Sequence, residues 1–366
     1  MVAPKKARKT AGPALTSLPP ESGWPEWVDA VATGRLRGAI RGERIGHAYL
    51  LSGPSGVGKA ALARGFAQAL CCPNVDADDL SQPCGSCRAC RNVHKGAHPD
   101  VATFSLESQA ALAEKPGRGA TITIDTIRSL RASAALLPLE AERRVLIIDD
   151  AETLLEPAQQ ALLKTLEEPP RGVTLLLLAD EAETLLETVR SRCEEIVVRP
   201  AAPAVVEQAL RNRGIDTDLA NEVAALSRGR VGWALAAVHD PKLLESRRAE
   251  RESAAKWIAA TRYEQLVTAF TLGDLFSKRR TDVIGVVQAA MQLLRDQMIE
   301  AASETRRMTA NETAATHSAV TALSLSRSLA ASLRCLSDLE SNVRPRLALE
   351  AMVMAWPNSE PQRNYP

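Results

Sequence analysis

Short apolar runs alternate along the first half of the chain with longer segments of helical pattern. His47-Ala48-Tyr49-Leu50-Leu51, Val145-Leu146-Ile147-Ile148 and Val173 to Leu178 carry no polar alternation. Strands of that kind are buried on both faces, as in a parallel sheet. Val101 to Phe104 is a shorter candidate strand. Ala60 to Leu70, Ile124 to Leu136 and Pro157 to Leu166 read as helices, and Trp24 to Gly42 as a short helical lead-in. Strands alternating with helices predict a doubly wound α/β domain.

Pro200 and Pro203 mark a boundary. Val205 to Val238 then reads as short helices broken at Gly229-Arg230-Val231-Gly232, a small helical lid. From about Lys242 to Trp356 the pattern is wholly helical. There Leu325, Leu329, Leu333, Leu336, Leu339 and Val343 recur at three- and four-residue spacing and predict one apolar helix face. The expected organisation is a basic tail over 1–22, an α/β domain over 23–200 with a cysteine-rich insertion at 71–98, a lid over 201–241, a helical domain over 242–356 and a flexible tail over 357–366. No internal repeat is visible.

Composition sharpens this picture. A chain of 366 residues is too long for one ordinary domain. With 45% hydrophobic and 24% charged residues it can bury real cores and keep a polar surface. A formal net charge of +1 argues against strong whole-protein attraction to nucleic acid. No uncharged apolar run is long enough to cross a bilayer, so no membrane role is expected. The segment Met1 to Ser22 holds Lys5, Lys6, Arg8 and Lys9 and then Pro13, Pro19 and Pro20, without the apolar stretch of a secretory signal. It reads as a disordered tail, with a nucleic-acid-touching arm as the functional alternative. Five of the seven cysteines crowd between Cys71 and Cys90. Such clustering without an export signal reads as metal binding in the cytoplasm, not as a disulfide framework.

Gly53-Pro54-Ser55-Gly56-Val57-Gly58-Lys59 fits the G-x-x-x-x-G-K pattern of a phosphate loop and lies between a predicted strand and a predicted helix. Gly53, Gly56 and Gly58 let backbone N–H groups turn toward phosphate oxygens, and Lys59 supplies a charge for the β and γ phosphates. The next position ordinarily carries a serine or threonine hydroxyl for Mg²⁺. Here it is Ala60, which cannot ligate a metal. Asp149 closes a buried strand, where a Walker B acid is expected. Asp150 follows it, where a water-polarising glutamate is usual, and Glu152 is a candidate to compensate. ATP is expected to be bound at most, not hydrolysed.

Cys72-x11-Cys84-x2-Cys87-x2-Cys90 supplies four thiolates at the spacing of a closed tetrahedral Zn²⁺ site. Four protein ligands leave no open position, so the metal would be structural. Cys71 is an alternative first ligand, and an iron–sulfur cluster also uses thiolates. Cys193 and Cys335 read as core residues or bystanders.

These elements, in this order, resemble the bacterial clamp-loader subunits gamma/tau and delta-prime. The resemblance runs through His47-Ala48-Tyr49-Leu50, the phosphate loop, the cysteine module, Gly96-Ala97-His98-Pro99-Asp100, Ala161-Leu162-Leu163-Lys164-Thr165-Leu166-Glu167-Glu168-Pro169-Pro170 and Ser191-Arg192-Cys193. It reaches Asn342 to Glu350 and covers roughly Trp24 to Trp356. It implies an α/β P-loop AAA+ domain with a zinc-binding insertion, then a helical lid and an all-α collar for oligomerisation. In that family three gamma/tau subunits, one delta and one delta-prime use ATP to open the sliding clamp and place it on primed DNA. Delta-prime is the stator, and it lends the arginine of its Ser-Arg-Cys motif in trans to a neighbour's ATP. That arginine is Arg192 here, with Arg190 a weaker candidate.

Three departures bear on ATP hydrolysis. Ala60 lacks the metal hydroxyl. Ala179-Asp180 stands where gamma/tau carry threonines that sense the γ-phosphate, and Gly232 aligns with the lid's sensor arginine, Arg230 being out of register. The resemblance therefore implies a stator-type subunit, with an ATP-hydrolysing gamma/tau-type motor as the alternative. A stand-alone nucleotide kinase would need neither the knuckle nor the Ser-Arg-Cys motif.

Overall fold

The structure is a computed structural model, and it describes residues 23–75, 79–112, 121–307, 312–341 and 343–357. The expectations for 1–22 and 358–366 lie outside these residues. The described chain divides into two compact units, one ending at His239 and one beginning at Asp240.

The first unit is built on β1 (Ala48–Ser52), β2 (Val101–Phe104), β3 (Arg144–Ile148), β4 (Val173–Ala179) and β5 (Glu194–Val197). All neighbouring strands are parallel, in the order β2-β3-β4-β1-β5. Every residue of β1, β3 and β4 is buried, which is why those runs are apolar without alternation. β5 was not legible as a strand. It lies at the sheet edge, begins Glu194-Glu195, and buries only Ile196 deeply.

Helix α1 (Ala30–Arg41) leads into β1, and α2 (Lys59–Cys71), α3 (Arg88–His94), α4 (Leu106–Leu112), α5 (Ile124–Ala134), α6 (Glu156–Glu167) and α7 (Glu187–Arg190) connect the strands. Leu130, Leu146, Ile148, Leu162 and Leu175 share one core beneath α5 and α6. The lead-in helix starts later than its sequence pattern predicts. Pro25 lies in a turn, and the Asp29 carboxylate caps α1 by accepting from Val31 N at 2.9 Å. Trp24, Trp27 and Val28 go into the core instead. Helices α8 (Pro203–Arg211), α9 (Thr217–Leu226) and α10 (Val231–His239) complete this unit.

The second unit holds α11 (Pro241–Ala259), α12 (Arg262–Leu275), α13 (Arg280–Arg307), α14 (Glu312–Glu340) and α15 (Pro345–Met354) around its own core. Trp257 and Trp356 meet edge-on there, with centroids 4.8 Å apart. The leucine stripe predicted on α14 is corrected in part. Leu325 and Leu339 are buried, but Leu333 is 54% exposed and Val343 lies beyond the helix. The buried positions are Leu325, Ser328, Ala331, Ser332, Cys335 and Leu339, again three and four apart. The serines escape an apolar count because they satisfy themselves: Ser332 Oγ donates to Ser328 O at 2.9 Å, and Ser328 Oγ to Ala355 O at 2.8 Å.

Candidate functional site

Parallel sheets place ligands at the carboxyl ends of their strands. The loop Gly53–Gly58 leaves the carboxyl end of β1 and enters α2, whose first residue is Lys59. Gly53 has φ 148°, and a Cβ there would stand 2.2 Å from Val198 O. No other residue fits, so this glycine is fixed by packing as well as by conformation. Asp149 follows β3 and Asp180 follows β4, so both acids stand at the same edge as the loop.

Lys59 is buried, and its ammonium is fully engaged. It donates to Gly53 O at 2.5 Å and Pro54 O at 3.3 Å and pairs with Asp180 Oδ1 at 2.9 Å. Ala60 sits in the first turn of α2. Burial pushes the Asp149 carboxyl above its ordinary range, with Lys59 and Arg64 opposing that shift. Asp150 adopts φ 56°, and its N–H donates to Asp149 Oδ1 at 3.0 Å. Glu152, the residue considered as a stand-in for the water-polarising acid, accepts from Asp180 N at 3.3 Å.

Helix α10 lies directly on the loop. Gly232 N donates to Gly56 O at 2.9 Å. A Cβ at Gly232 would come 3.2 Å from that oxygen, so the position expected to carry a sensor arginine has no room for a side chain without a shift. Arg230 flanks the loop beside Gly56. Burial lowers its pKa, and Asp180 counteracts this.

The cysteine module folds as a knuckle. Cys72, Cys84, Cys87 and Cys90 bring four sulfurs within 4.8 Å of one another. Cys72 Sγ lies 3.6 Å from Cys84 Sγ and 3.9 Å from Cys87 Sγ. Metal–sulfur bonds of about 2.3 Å in a tetrahedron give edges of about 3.8 Å, so the donor set fits a closed four-thiolate site. Backbone N–H groups point at the sulfurs: Cys84 N at Cys72 Sγ (3.4 Å), Cys87 N at Cys84 Sγ and Cys90 N at Cys87 Sγ (both 3.3 Å). Burial opposes a thiolate at Cys84, but the N–H groups of Cys87 and Ser86 and the thiols of Cys72 and Cys87 bring its pKa down to about 6. Cys71 stands outside the cluster, and burial pushes its thiol up to about 12. The knuckle is tied to α2 through Gln68, whose Nε2 donates to Cys90 O at 3.0 Å. Trp24 Nε1 donates to Ser81 O at 2.7 Å.

Arg192 lies between α7 and β5, at the amino end of that strand. Its guanidinium pairs with Glu167 Oε1 at 2.8 Å and donates to Thr188 O at 2.9 Å. Sequence reasoning missed Glu167 as its partner, although Glu167 belongs to the Leu-Leu-Lys-Thr-Leu-Glu-Glu run. Arg190 is held separately, 3.9 Å from Glu195.

Residues 29–202 match a family model described as DNA polymerase III, delta subunit. DNA polymerase III subunit delta' of Pseudomonas aeruginosa is 37% identical over 185 residues, 50% of this chain and 53% of that protein. Subunit delta' of Bacillus subtilis is 28% identical over 212 residues, 58% of this chain and 60% of that protein. Subunit tau of Bacillus subtilis is 34% identical over 162 residues, 44% of this chain and 26% of that protein. The chain thus spans about half the length of the curated delta' relatives it matches. A solved DNA polymerase III gamma subunit-related protein of Thermotoga maritima aligns with 88% of this chain and 97% of its own, at a TM-score of 0.37 and 16% identity. On the segment that carries the phosphate loop, the knuckle and Arg192, this chain is similar to bacterial DNA polymerase III delta' and tau subunits.

Proposed function

We propose that this chain is a delta-prime-type stator of the DNA polymerase III clamp loader, working in the cytoplasm beside gamma/tau and delta subunits to load the sliding clamp onto primed DNA. The observation that carries this reading is a phosphate loop that keeps its form and its lysine but runs into Ala60. Without a hydroxyl there, Mg²⁺ loses a ligand and the chain has no complete hydrolytic site of its own. Gly232 against Gly56 adds to this, because a sensor side chain there would have to displace the loop backbone by a few tenths of an ångström.

Arg192 is the residue by which such a chain would act on ATP held by a neighbour. Its own loop is out of reach. Ser52, before the loop, pairs with Val197, at the far end of β5 from Arg192. Three residues of strand at about 3.3 Å each already separate the two by roughly 10 Å. A guanidinium reaching a neighbour's γ-phosphate stabilises charge that gathers on its oxygens, and trans-acting arginines of this kind are worth on the order of 10³–10⁵ in rate. Glu167 orients the side chain from within the same subunit.

Cys72, Cys84, Cys87 and Cys90 would hold a structural Zn²⁺, which cross-links the knuckle and supplies no reaction step. No described helix is long and apolar enough to cross a membrane. The helices of the second unit are assigned to oligomer assembly, as in a collar.

The test is a reconstitution with gamma/tau, delta, clamp and primed DNA. The lone chain is expected to be silent as an ATPase, and Arg192→Ala to lower the assembled complex's ATPase and loading rates with assembly intact. ATP turnover by the lone chain that Lys59→Ala abolishes would make it a gamma/tau-type motor instead.

A further inference from the structure

We infer that the Asp180 carboxylate is the resident anion of this phosphate loop, holding Lys59 in place of a nucleotide phosphate and latching the lid over the loop. This rests on the phosphate-loop reading alone and not on the stator assignment.

The first argument is a donor count. A lysine ammonium has three N–H donors and no more. Here they meet Gly53 O, Pro54 O and Asp180 Oδ1. The group that should receive a phosphate oxygen therefore has no donor left. The Lys59 side chain is 9% exposed and that of Asp180 25%, so the pair is shielded from bulk solvent.

The second argument is placement. Ser52 pairs with Ala179 in the sheet, so the next residues on the two strands, Gly53 and Asp180, leave it side by side. The carboxylate is delivered to the loop by strand register, not by a wandering side chain. Its own N–H is fixed by Glu152 at 3.3 Å.

The third argument is the lid. Arg230, half-buried beside Gly56, feels the Asp180 charge, and Gly232 N bonds Gly56 O. Asp180 thus pairs with a buried cation of the loop helix and acts through space on a second one from the lid. An incoming diphosphate would meet a carboxylate at the spot its own oxygens require. Displacing that carboxylate would leave it half-buried without Lys59. Breaking a largely shielded pair in this way weakens nucleotide binding by on the order of 10²-fold. The position where a neutral γ-phosphate sensor was expected thus carries a substitute for the phosphate itself. The chain then holds an ordered loop and closed lid with no nucleotide.

The probe is a fluorescent ADP analogue, mant-ADP, titrated into the full chain with and without Mg²⁺. Wild type is expected to show no saturation up to about 1 mM, while Asp180→Asn and Asp180→Thr bind at roughly 10 μM. Adding Lys59→Met to either variant should abolish that gain, locating it in the loop. Thermal melts identify which variants are folded, and either folded variant is decisive. Micromolar binding by wild type would overturn the inference, whatever the variants do. So would a folded Asp180 variant that binds no better than wild type. Both readouts concern the lone chain, so they fail separately from the Arg192 experiment on the assembled complex.

Discussion

Asp100 shows how a single residue can organise a region. It is fully buried, yet its carboxylate accepts from Leu139 N, Glu140 N and Ala141 N at 2.7, 2.8 and 2.9 Å and faces Arg144 at 3.7 Å. Burial alone would raise its pKa, but the three N–H bonds and His98 outweigh burial and lower it. A depressed folded pKa means stability that is fully present above the ordinary aspartate range and is lost as pH falls through the folded value. Asp100→Asn keeps the size, removes the charge and turns an amide N–H₂ toward backbone donors. It should lower stability by about 2–4 kcal/mol at pH 7. The deficit should shrink only well below about pH 4, as pH falls through the depressed folded value and native wild type also protonates. Urea unfolding at both pH values measures it, and a deficit of equal size at both would sink the electrostatic account. The sequence marked Gly96-Ala97-His98-Pro99-Asp100 as a family segment but gave no role to its acid, because the partners lie some forty positions away. Separation along the chain also hid the Lys59–Asp180 pair, 121 positions apart, and the Arg192–Glu167 pair. Residue types were readable at all three sites, and pairings were not.

At the scale of elements, legibility followed burial. β3 and β4, buried on both faces, were evident as unbroken apolar runs, whereas β5 at the edge was disguised by two glutamates. The α14 stripe was read correctly in period and wrongly in part of its membership, because serines that bond back to the helix occupy core positions. The knuckle was legible because thiolate spacing is itself a geometric constraint. It also carries a prediction. Purified chain should contain about one Zn²⁺, and Cys84→Ser should release it, because three thiolates no longer close the tetrahedron. Loss of the knuckle also frees Ser81 from Trp24, so tryptophan emission should shift to the red. Cys193→Ser, which packs against the sheet core outside the cluster, should keep its metal. Metal analysis with a chromogenic chelator decides the matter. Full retention by Cys84→Ser would refute the four-thiolate site, and visible charge-transfer absorption with bound iron would replace zinc by an iron–sulfur cluster.

Among the described residues, one cluster of buried side chains in each unit shares no residue with the other. One lies under the parallel sheet and holds Leu146, Leu162 and Leu175; the other packs Trp257, Leu294, Leu349 and Trp356 between helices. Polar closure is equally local. Arg262 of the second unit donates to Trp356 O at 2.7 Å and also to Val353 O, satisfying the last carbonyls of α15. Thr261 and Glu264 form a complete capping box at the start of α12. The phosphate loop, Asp100 and the knuckle all belong to the first unit. Separate cores, each with its own polar closure, predict separate cooperative transitions. Scanning calorimetry of the full chain should therefore resolve two events. Metal removal by 1,10-phenanthroline, or the Asp100→Asn substitution, should move only one of them downward. A substitution in the second core, such as Leu349→Ala, should move only the other, by the roughly 2–5 kcal/mol expected of a buried leucine. One event that shifts as a whole under all three perturbations would mean that the two units fold as a single cooperative body, and the local account of the first unit's stability would then have to be abandoned.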